Sequence, residues 1–331
     1  MLLLRKSRFK SNFYNYIWQM RQNLNISFKS MMILRILLVV ILMTGCNKKD
    51  PAENNNPLNG TFTRSIDVNG QVREYLIHIP NAYDGTQSVP IMLNFHGWNM
   101  SANDQMNVSD MRALSESEQF ILVYPQGSLF FGSTHWNVGS WTTGSSSNDI
   151  GFIGDLIIEI TDNYNIDENR IYACGYSNGG FFSQELACQL SDKIAAIGAV
   201  ASNMSERTRN TCNPTHPTPI ITINGTNDTV VQYDGSEPEA TISHSETISY
   251  WIDFNNTDTS AVITNLPNSN ATDGSSVNLF QYFNGYNNVE IEHYKVINGG
   301  HGWPGVLGNM DINANFIIWN FVSQFDLNGK I

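Results

Sequence analysis

The chain has 331 residues, of which 41% are hydrophobic and 11% aromatic, a composition typical of globular proteins and unlike that of disordered chains. It carries 18 Lys and Arg against 30 Asp and Glu, a formal net charge of −12 at pH 7. So negative a protein is unsuited to binding nucleic acid or an anionic membrane surface, whereas a neutral molecule or a polysaccharide is compatible with it.

The first 46 residues differ from the rest of the chain. They hold seven Lys and Arg and no Asp or Glu, and an almost wholly apolar run over 33–43 leads into Thr44, Gly45 and Cys46. Basic, apolar and small residues in this order are typical of a secretory signal. Because the end of this segment resembles a bacterial lipoprotein cleavage box, we expect cleavage before Cys46 and a lipid anchor on it. A plain signal peptide or a short membrane anchor is the alternative.

The same pattern suggests where the domain begins. Met31 or Met32 would start a signal of ordinary length, so we expect residues 1–30 not to be made. Residues 47–59 are polar and rich in Asn, which predicts a flexible linker, and one domain is expected over 60–328. Removing the seven basic residues of the signal from the 18 leaves 11 against 30 acidic residues, a formal charge of −19.

The domain opens with two alternating stretches around Asn69-Gly70, which predict a β-hairpin. Short apolar runs then alternate with longer segments of helical pattern. The runs end at Gly97, Gly127, Ser177, Ser202, Asp228 and His301, and the helical segments lie at about 103–118, 151–164, 178–191, 243–254 and 312–325. This alternation predicts an α/β fold with a mostly parallel, doubly wound sheet and helices on both faces.

Two segments fit the alternation less well. Residues 128–148 are rich in aromatic residues, Gly and Ser, and residues 255–275 are polar and low in complexity. We expect the second to be a surface insertion.

The segment Gly175-Tyr176-Ser177-Asn178-Gly179 matches G-x-S-x-G, in which a serine follows a buried strand and begins a helix through a tight turn. An apolar run precedes this serine and a helical pattern follows it. The helix N-terminus adds partial positive charge beside the hydroxyl. A bare match arises by chance, but its flanking elements favour a nucleophilic Ser177 over a serine in a structural turn.

A serine hydroxyl needs a base, and the base needs an acid that orients it. Behind this motif the chain order is serine, acid, histidine. Asp228 follows an apolar strand and His301 lies on a Gly-rich loop after the last strand, at strand ends where sites gather in open α/β sheets. The competing candidates lie in a loop, in a helical segment, within a strand or away from a strand end: Asp234, Asp253, His216, His244 and His293.

Acyl transfer at a serine also needs N–H groups that stabilise an oxyanion. One expected donor is the backbone N–H of Asn178, the residue after the nucleophile. The second is expected from the loop after an earlier strand, through the N–H of Trp98 or of Gly97. No cysteine or histidine cluster has metal-site spacing, and this chemistry needs no metal or organic cofactor.

Six segments occur in one order along the chain: "NFHGWNMSANDQ", "ILVYPQG", "NDIGFI", "GYSNGGFFSQELACQLSDKIAAIGAVA", "INGTNDTVV" and "GGHGWPG". Together they resemble the secreted polyhydroxybutyrate-depolymerase-like and feruloyl-esterase proteins, α/β-hydrolases of the family-one carbohydrate esterases. The resemblance covers roughly residues 60–325. It implies the α/β-hydrolase fold and a serine esterase with Ser177, Asp228 and His301 as its triad.

The resemblance also implies a disulfide between Cys188 and Cys212, with Cys174 left as a buried thiol. One disulfide is compatible with an exported protein in an oxidising compartment. The chain departs from these proteins at two places that bear on the choice of substrate. Trp98 stands where relatives often have a small or polar residue, and residues 255–275 lack a cysteine that some relatives have.

The resemblance implies hydrolysis of feruloyl or acetyl esters on plant polysaccharide such as xylan. The protein would be exported and would touch a membrane only through its lipid anchor. The alternatives are a poly(3-hydroxybutyrate)-type polyester depolymerase and a non-catalytic surface lipoprotein that binds polysaccharide.

Several aromatic residues are candidates for contact with the substrate. His96, Trp136 and Trp303 are expected to contact it directly. The aromatic side chains of residues 128–148 form either a platform for a phenolic group or a sugar ring, or a small core under the loop: Phe130, Phe131, His135, Trp136 and Trp141.

Overall fold

The computed structural model describes residues 59–236 and 241–331. The expected signal, Cys46 and all of the linker except its last residue lie outside these ranges. The strands are β1 (Gly60–Val68), β2 (Gln71–Ile79), β3 (Val89–Phe95), β4 (Ile121–Pro125), β5 (Ser128–Phe130), β6 (Ser133–His135), β7 (Ile166–Tyr176), β8 (Ala196–Val200), β9 (Ile220–Gly225), β10 (Val262–Asn265), β11 (Ser276–Tyr282), β12 (Ile291–Ile297), β13 (Phe325–Asp326) and β14 (Gly329–Lys330).

Within the described residues, ten strands form one sheet in the order β1-β2-β4-β3-β7-β8-β9-β12-β11-β10. Its six central strands, from β4 to β12 in that order, pair in parallel. The outer strands add antiparallel pairs at both edges. The predicted mostly parallel sheet is confirmed, and so is the first hairpin, whose turn residues Asn69 and Gly70 both have positive φ.

The helices are α1 (Ala102–Val108), α2 (Arg112–Glu118), α3 (Asp149–Asn163), α4 (Asn178–Gln189), α5 (Glu206–Thr211), α6 (His244–Asn255) and α7 (Ala314–Val322), with 3-10 turns at Ser140–Thr142, Ala271–Asp273 and Tyr286–Asn288. Among the described helices, none has the length and apolar character that crossing a membrane requires.

Apolar residues of the strands alternate between two cores, one on each face of the sheet. Ile91 and Leu93 of β3 belong to the core that α3, α4 and α6 cover. Met92, between them, belongs to the core that α1 and α7 cover. Successive side chains of a strand point to opposite faces, so a strand buried on both faces is apolar throughout. Helices therefore lie on both faces, as the sequence predicts.

The segment expected as one helix over 103–118 is two helices, α1 and α2. The break is at Ser109, whose carbonyl oxygen accepts a hydrogen bond from Tyr124 Oη at 2.6 Å and whose hydroxyl accepts one from Asn94 Nδ2 at 2.8 Å. These bonds hold Ser109, which has non-helical backbone angles, against the sheet. Most of residues 255–275 lie at the surface as expected, and they contribute β10, an exposed edge strand.

A disulfide joins Cys188 near the end of α4 to Cys212 directly after α5, which confirms the pairing that the resemblance implies. Disulfides of this kind form in oxidising compartments and indicate an extracellular protein. Cys174 on β7 is a fully buried free thiol, and burial raises its pKa far above the ordinary value.

Removing the disulfide by Cys188→Ser together with Cys212→Ser is expected to lower the free energy of unfolding by about 3 kcal/mol, because the crosslink restricts the unfolded chain. The two cysteines are 24 residues apart. Urea denaturation of both proteins measures the difference. Dithiothreitol should reduce the stability of the wild type to that of the variant and leave the variant unchanged. Equal stability of the two oxidised proteins would contradict the prediction.

Candidate active site

Ser177 stands between the last residue of β7 and the first residue of α4, with φ 53° and ψ −119°. Few residues other than Gly adopt a positive φ, and such strain is concentrated at functional sites. The two motif glycines permit this turn. A Cβ on Gly175 would collide with the carbonyl group of Gly179, and one on Gly179 would collide with that of Phe95. The structure therefore has the strand, turn and helix of a nucleophile elbow.

His301 and Asp228 form a hydrogen bond of 2.7 Å between Nδ1 and Oδ2. The other carboxylate oxygen, Oδ1, accepts hydrogen bonds from the backbone N–H groups of Val230 at 2.8 Å and Val231 at 2.9 Å. The side chain of Asp228 is nearly inaccessible to solvent, whereas that of His301 is 17% exposed. Because Nδ1 is engaged by the acid, Nε2 is the ring nitrogen left for a second partner.

The loop that carries His301 lies against the elbow. Tyr176, adjacent to the serine, donates a hydrogen bond from its hydroxyl to the carbonyl oxygen of His301 at 3.1 Å, and the two rings are 5.0 Å apart. The structure records no direct hydrogen bond between Ser177 and His301 in the described part of the chain. Catalytic hydrogen bonds are often loose without substrate, so this geometry is compatible with a serine–histidine pair.

Backbone contacts hold the acid loop and the histidine loop together. The N–H of Asn227, next to the acid, donates to the carbonyl oxygen of Gly299 at 2.8 Å. At Gly225, the end of β9, a Cβ would collide with the backbone of Gly299. Parallel pairing of β9 with β12 brings the two strand ends side by side. Asp228 and His301, 73 positions apart in the sequence, therefore meet beyond the carboxyl ends of these two central strands.

The loop after β3 passes directly beside the serine. A Cβ on Gly97 would lie 3.5 Å from Cβ of Ser177 and 3.3 Å from Cδ1 of Tyr176. On the other side, Asn178 begins α4, so its N–H has no acceptor within the helix. The structure thus brings Gly97, Trp98 and Asn178 to the serine, as an oxyanion hole requires, and their role as donors remains a prediction.

The side chain of Asn178 has a structural function that the sequence does not indicate. Its Oδ1 accepts a hydrogen bond from the backbone N–H of Trp136 at 2.7 Å, and its Nδ2 donates one to the carbonyl oxygen of Trp136 at 3.2 Å. The indole N–H of Trp136 donates to the carbonyl oxygen of His96 at 3.0 Å. These bonds connect the elbow, the 128–148 segment and the loop before Gly97.

The structure does not support contact of His96, Trp136 or Trp303 with a substrate, because all three are fully buried. His96 donates from Nδ1 to the carbonyl oxygen of Gly97 at 2.7 Å and accepts at Nε2 from the N–H of Gly127 at 2.9 Å. Burial lowers the pKa of His96 to about 4, so it is neutral. The ring of Trp136 stacks on Phe182 at 4.8 Å.

Trp303 likewise packs behind the site, where its indole N–H donates to Oδ1 of Asn315 at 2.9 Å. The three residues support the loops around the site, because their polar atoms are bonded inside the protein. A sequence pattern alone does not distinguish such a buried aromatic residue from one that lines a cleft.

A cavity of about 170 Å³ opens beside the serine. It is lined by Trp98, Trp141, Ser177, Asn178, Phe181, Val230, Val231, Ser236 and Thr241. Five of these nine residues are aromatic or aliphatic. Two of them, Trp141 and Phe181, meet edge to face with their ring centres 4.9 Å apart. Trp141 is therefore the residue of the 128–148 segment that lines the cavity beside Ser177.

A buried ion pair anchors the 128–148 segment. Arg73 on β2 donates to Oδ1 of Asp149 at 2.8 Å, and both side chains are almost inaccessible to solvent. The other oxygen of Asp149 accepts from the N–H of Asn137 at 2.8 Å, and the guanidinium of Arg73 lies 4.0 Å from the ring of Phe152. Removing either charge would leave the other buried and unpaired, which is strongly destabilising.

Two buried histidines lie behind the acid loop. The hydroxyl of Thr222 contacts Nε2 of His244 at 3.1 Å and Nδ1 of His293 at 3.0 Å, and Tyr233 Oη contacts Nε2 of His293 at 2.8 Å. Burial lowers the pKa of His244 to about 3 and that of His293 well below its usual range. In the described residues, no group of three or more His, Cys, Asp or Glu has a metal-binding arrangement.

The sheet order, the helices on both faces and the elbow define the α/β-hydrolase fold. The structure superimposes on the acetyl xylan esterase from Aspergillus awamori with a TM-score of 0.57 at 15% identity, over 79% of this chain and 99% of that one. Identity at this level establishes the fold alone. No protein-family model matches the chain.

The sequence is 28% identical over 265 residues to Feruloyl esterase B of Piromyces equi, a match that covers 77% of this chain and 46% of that protein. It is 27% identical over 255 residues to the bifunctional acetylxylan esterase/xylanase XynS20E of Neocallimastix patriciarum, covering 77% and 34%. The chain spans less than half the length of each relative. The chain is thus similar to feruloyl and acetylxylan esterases, and this similarity supports the resemblance that its motifs predict.

The buried histidines predict a loss of stability in mild acid. His96, His244 and His293 have lowered pKa values when folded, whereas in the unfolded chain they bind a proton near pH 6.5. The unfolded state therefore takes up more protons as the pH falls below 6.5, and stability falls with it. Between pH 7.5 and 5.5 we expect a loss on the order of 1 kcal/mol per histidine, measured by urea denaturation at the two values.

A matched variant isolates one of these groups. His293→Gln keeps a polar side chain on β12 and removes one titrating group, so its stability should depend less steeply on pH over the same interval. A wild-type protein equally stable at both pH values would contradict this account of the three histidines.

Proposed function

We propose that this chain is a carboxylic ester hydrolase with Ser177, His301 and Asp228 as its catalytic triad. The observation that carries the proposal is the 2.7 Å hydrogen bond between His301 Nδ1 and Asp228 Oδ2, formed beside a serine held at positive φ on a nucleophile elbow. A base already oriented by a buried acid is what a serine hydroxyl requires to act as a nucleophile.

In the proposed reaction, Oγ of Ser177 attacks the ester carbonyl carbon while Nε2 of His301 takes the hydroxyl proton. Asp228 keeps the imidazole in the tautomer with its proton on Nδ1 and stabilises the imidazolium that forms. The two backbone N–H groups that hold Oδ1 of Asp228 keep the carboxylate in place throughout.

The tetrahedral intermediate carries its negative charge on the former carbonyl oxygen. The N–H of Asn178 and that of Gly97 or Trp98 donate to this oxygen, so they stabilise charge that is absent from the ground state. The intermediate collapses as His301 returns its proton to the leaving alcohol. Water then attacks the acyl-enzyme by the same steps and releases the acid.

The proposed substrates are feruloyl or acetyl esters on plant polysaccharide. The relatives named as feruloyl and acetylxylan esterases support this class. The apolar cavity beside the serine suits an uncharged acyl group, and Trp141 and Phe181 offer ring faces and edges to a phenolic one.

Export with a lipid on Cys46 completes the proposed function. It is supported by the order of basic, apolar and small residues before Cys46 in the sequence. Stable anchoring by acyl chains needs two membrane-binding groups, and a lipoprotein-type modification would provide both at Cys46. The enzyme would then work at the cell envelope while the polar linker, residues 47–59, gives it reach.

Ser177→Ala is expected to lower kcat/KM for p-nitrophenyl acetate by at least about 10⁴-fold, because the acyl-enzyme then lacks its nucleophile. His301→Gln should have a similar effect. Thermal unfolding of each variant should remain cooperative, which separates lost chemistry from lost folding.

His216→Gln provides the matched control. His216 lies before β9, at the end of the sheet opposite the triad, and hydrogen-bonds to the carbonyl oxygens of Pro217 and Ile194. The His216→Gln variant should therefore hydrolyse p-nitrophenyl acetate at the wild-type rate. If wild type and Ser177→Ala were equally inert, the chain would be a polysaccharide-binding protein, and methyl ferulate, acetylated xylan and hydroxybutyrate oligomers would then serve as binding probes.

Cys46→Ala is expected to shift the protein from the membrane fraction to the soluble exported fraction, because lipidation requires the thiol of that cysteine. Metabolic labelling with a radioactive fatty acid should mark the wild type and leave the variant unlabelled. Labelling of both proteins, or of neither, would contradict lipid attachment at Cys46.

A further inference from the structure

The tip of the β5–β6 hairpin presents an exposed phenylalanine. Phe131 is 95% exposed, and with Gly132 it forms the two-residue turn, at φ 49° and 86°. Two positive φ values favour Asn or Gly at both positions, and a bulky residue there is an outlier. Neither burial nor turn geometry accounts for a phenylalanine at this position, which points to a functional reason for it.

Phe131 belongs to a larger surface, the aromatic ledge, formed by the rings of Trp98, Phe130 and Phe131. Trp98 is 38% exposed and Phe130 is partly buried. The ring of Phe130 lies 4.4 Å from that of Phe131 and 6.5 Å from that of Trp98. The rings therefore form a continuous path from the hairpin tip to Trp98.

The aromatic ledge is joined to the candidate active site. Trp98 also lines the cavity that contains Ser177. The N–H of Asn99 donates to the carbonyl oxygen of Thr134 at 2.8 Å, and the hydroxyl of Thr134 donates to the carbonyl oxygen of Met100. Strand β6 is thus bonded to the loop that follows β3. A molecule bound on the ledge would be held at a fixed place relative to the nucleophile.

The composition of this region indicates what it binds. Residues 126–148 contain no Asp, Glu, Lys or Arg and are rich in Ser and Thr, in a chain with a net charge of −12. Such a surface matches a neutral ligand that combines apolar ring faces with many hydroxyl groups. A sugar chain has both, because the C–H faces of its rings pack on aromatic side chains while its hydroxyls bond to polar ones.

We propose that the aromatic ledge binds the sugar chain of an ester-bearing polysaccharide on the alcohol side of the ester. The proposal rests on the esterase function proposed above. The acyl group occupies the cavity lined by Trp141 and Phe181, and the sugar chain extends from Ser177 across Trp98 to Phe131. The ledge favours polymeric substrates over small esters of the same acid.

Phe131→Asn tests the ledge, because Asn fits a turn with positive φ and the variant should unfold at the same temperature as the wild type or higher. We expect kcat/KM for acetylated xylan to fall about two- to tenfold relative to kcat/KM for p-nitrophenyl acetate, through a higher KM. In a Ser177→Ala background, the same change should weaken co-sedimentation with insoluble acetylated xylan.

Tyr286→Asn is the matched control. Tyr286 is also an exposed aromatic residue, at 58%, but it precedes β12 and so lies about 20 Å from the strand end that leads to His301. This variant should leave kcat/KM for both substrates, and co-sedimentation with acetylated xylan, at the wild-type values.

Three outcomes would overturn the proposal. The first is an unchanged ratio of kcat/KM for acetylated xylan to kcat/KM for p-nitrophenyl acetate in Phe131→Asn, and the second is an equal fall of this ratio in Phe131→Asn and Tyr286→Asn. The third is weaker binding of Phe131→Asn to poly(3-hydroxybutyrate) granules but not to xylan. Failure of the wild type to hydrolyse p-nitrophenyl acetate would contradict the esterase function itself. The co-sedimentation result would still test the ledge in that case.

Discussion

Close backbone approach at Gly175 and Gly179 determines the geometry of the site. At both positions a Cβ would collide with backbone carbonyl groups, of Gly179 and of Phe95 respectively. The turn that carries Ser177 is therefore pressed against both the following helix and the end of β3. Because the loop after β3 carries Gly97 and Trp98, one contact sets the distance between Ser177 and the loop proposed to stabilise the oxyanion.

Buried polar pairs then hold the loops that no regular element supports. Asn178 ties the elbow to Trp136, Arg73 and Asp149 fix the base of the aromatic segment, and backbone N–H groups hold Asp228. The bonds of Asn178 and the Arg73–Asp149 pair are shielded from water, so they are strong when made and costly when broken. Loops fixed in this way can present side chains accurately, which a site built on irregular structure requires.

Much of this architecture is encoded locally and was predictable from sequence. The apolar strands, the G-x-S-x-G turn and the order of Asp228 and His301 follow from short patterns. The break at Ser109 was not predictable, because it depends on Tyr124 and Asn94 from other strands. Aromatic residues were the hardest to interpret: Trp136 is buried, Trp141 lines the cavity and Phe131 is exposed, although the three lie within eleven residues. Burial is a tertiary property that composition does not contain.

Cys174 gives the protein an internal reporter of its own motions. The thiol lies on β7, three residues before Ser177, and is closed off from solvent on all sides. A thiol reacts as its thiolate and only when a reagent reaches it, so alkylation requires β7 to separate from its neighbours. The rate of modification by iodoacetamide therefore follows the opening of the central sheet. Opening of the surface loops does not expose the thiol and leaves this rate unchanged. Opening of the sheet beneath Ser177 can therefore be followed through a thiol that the chain already contains.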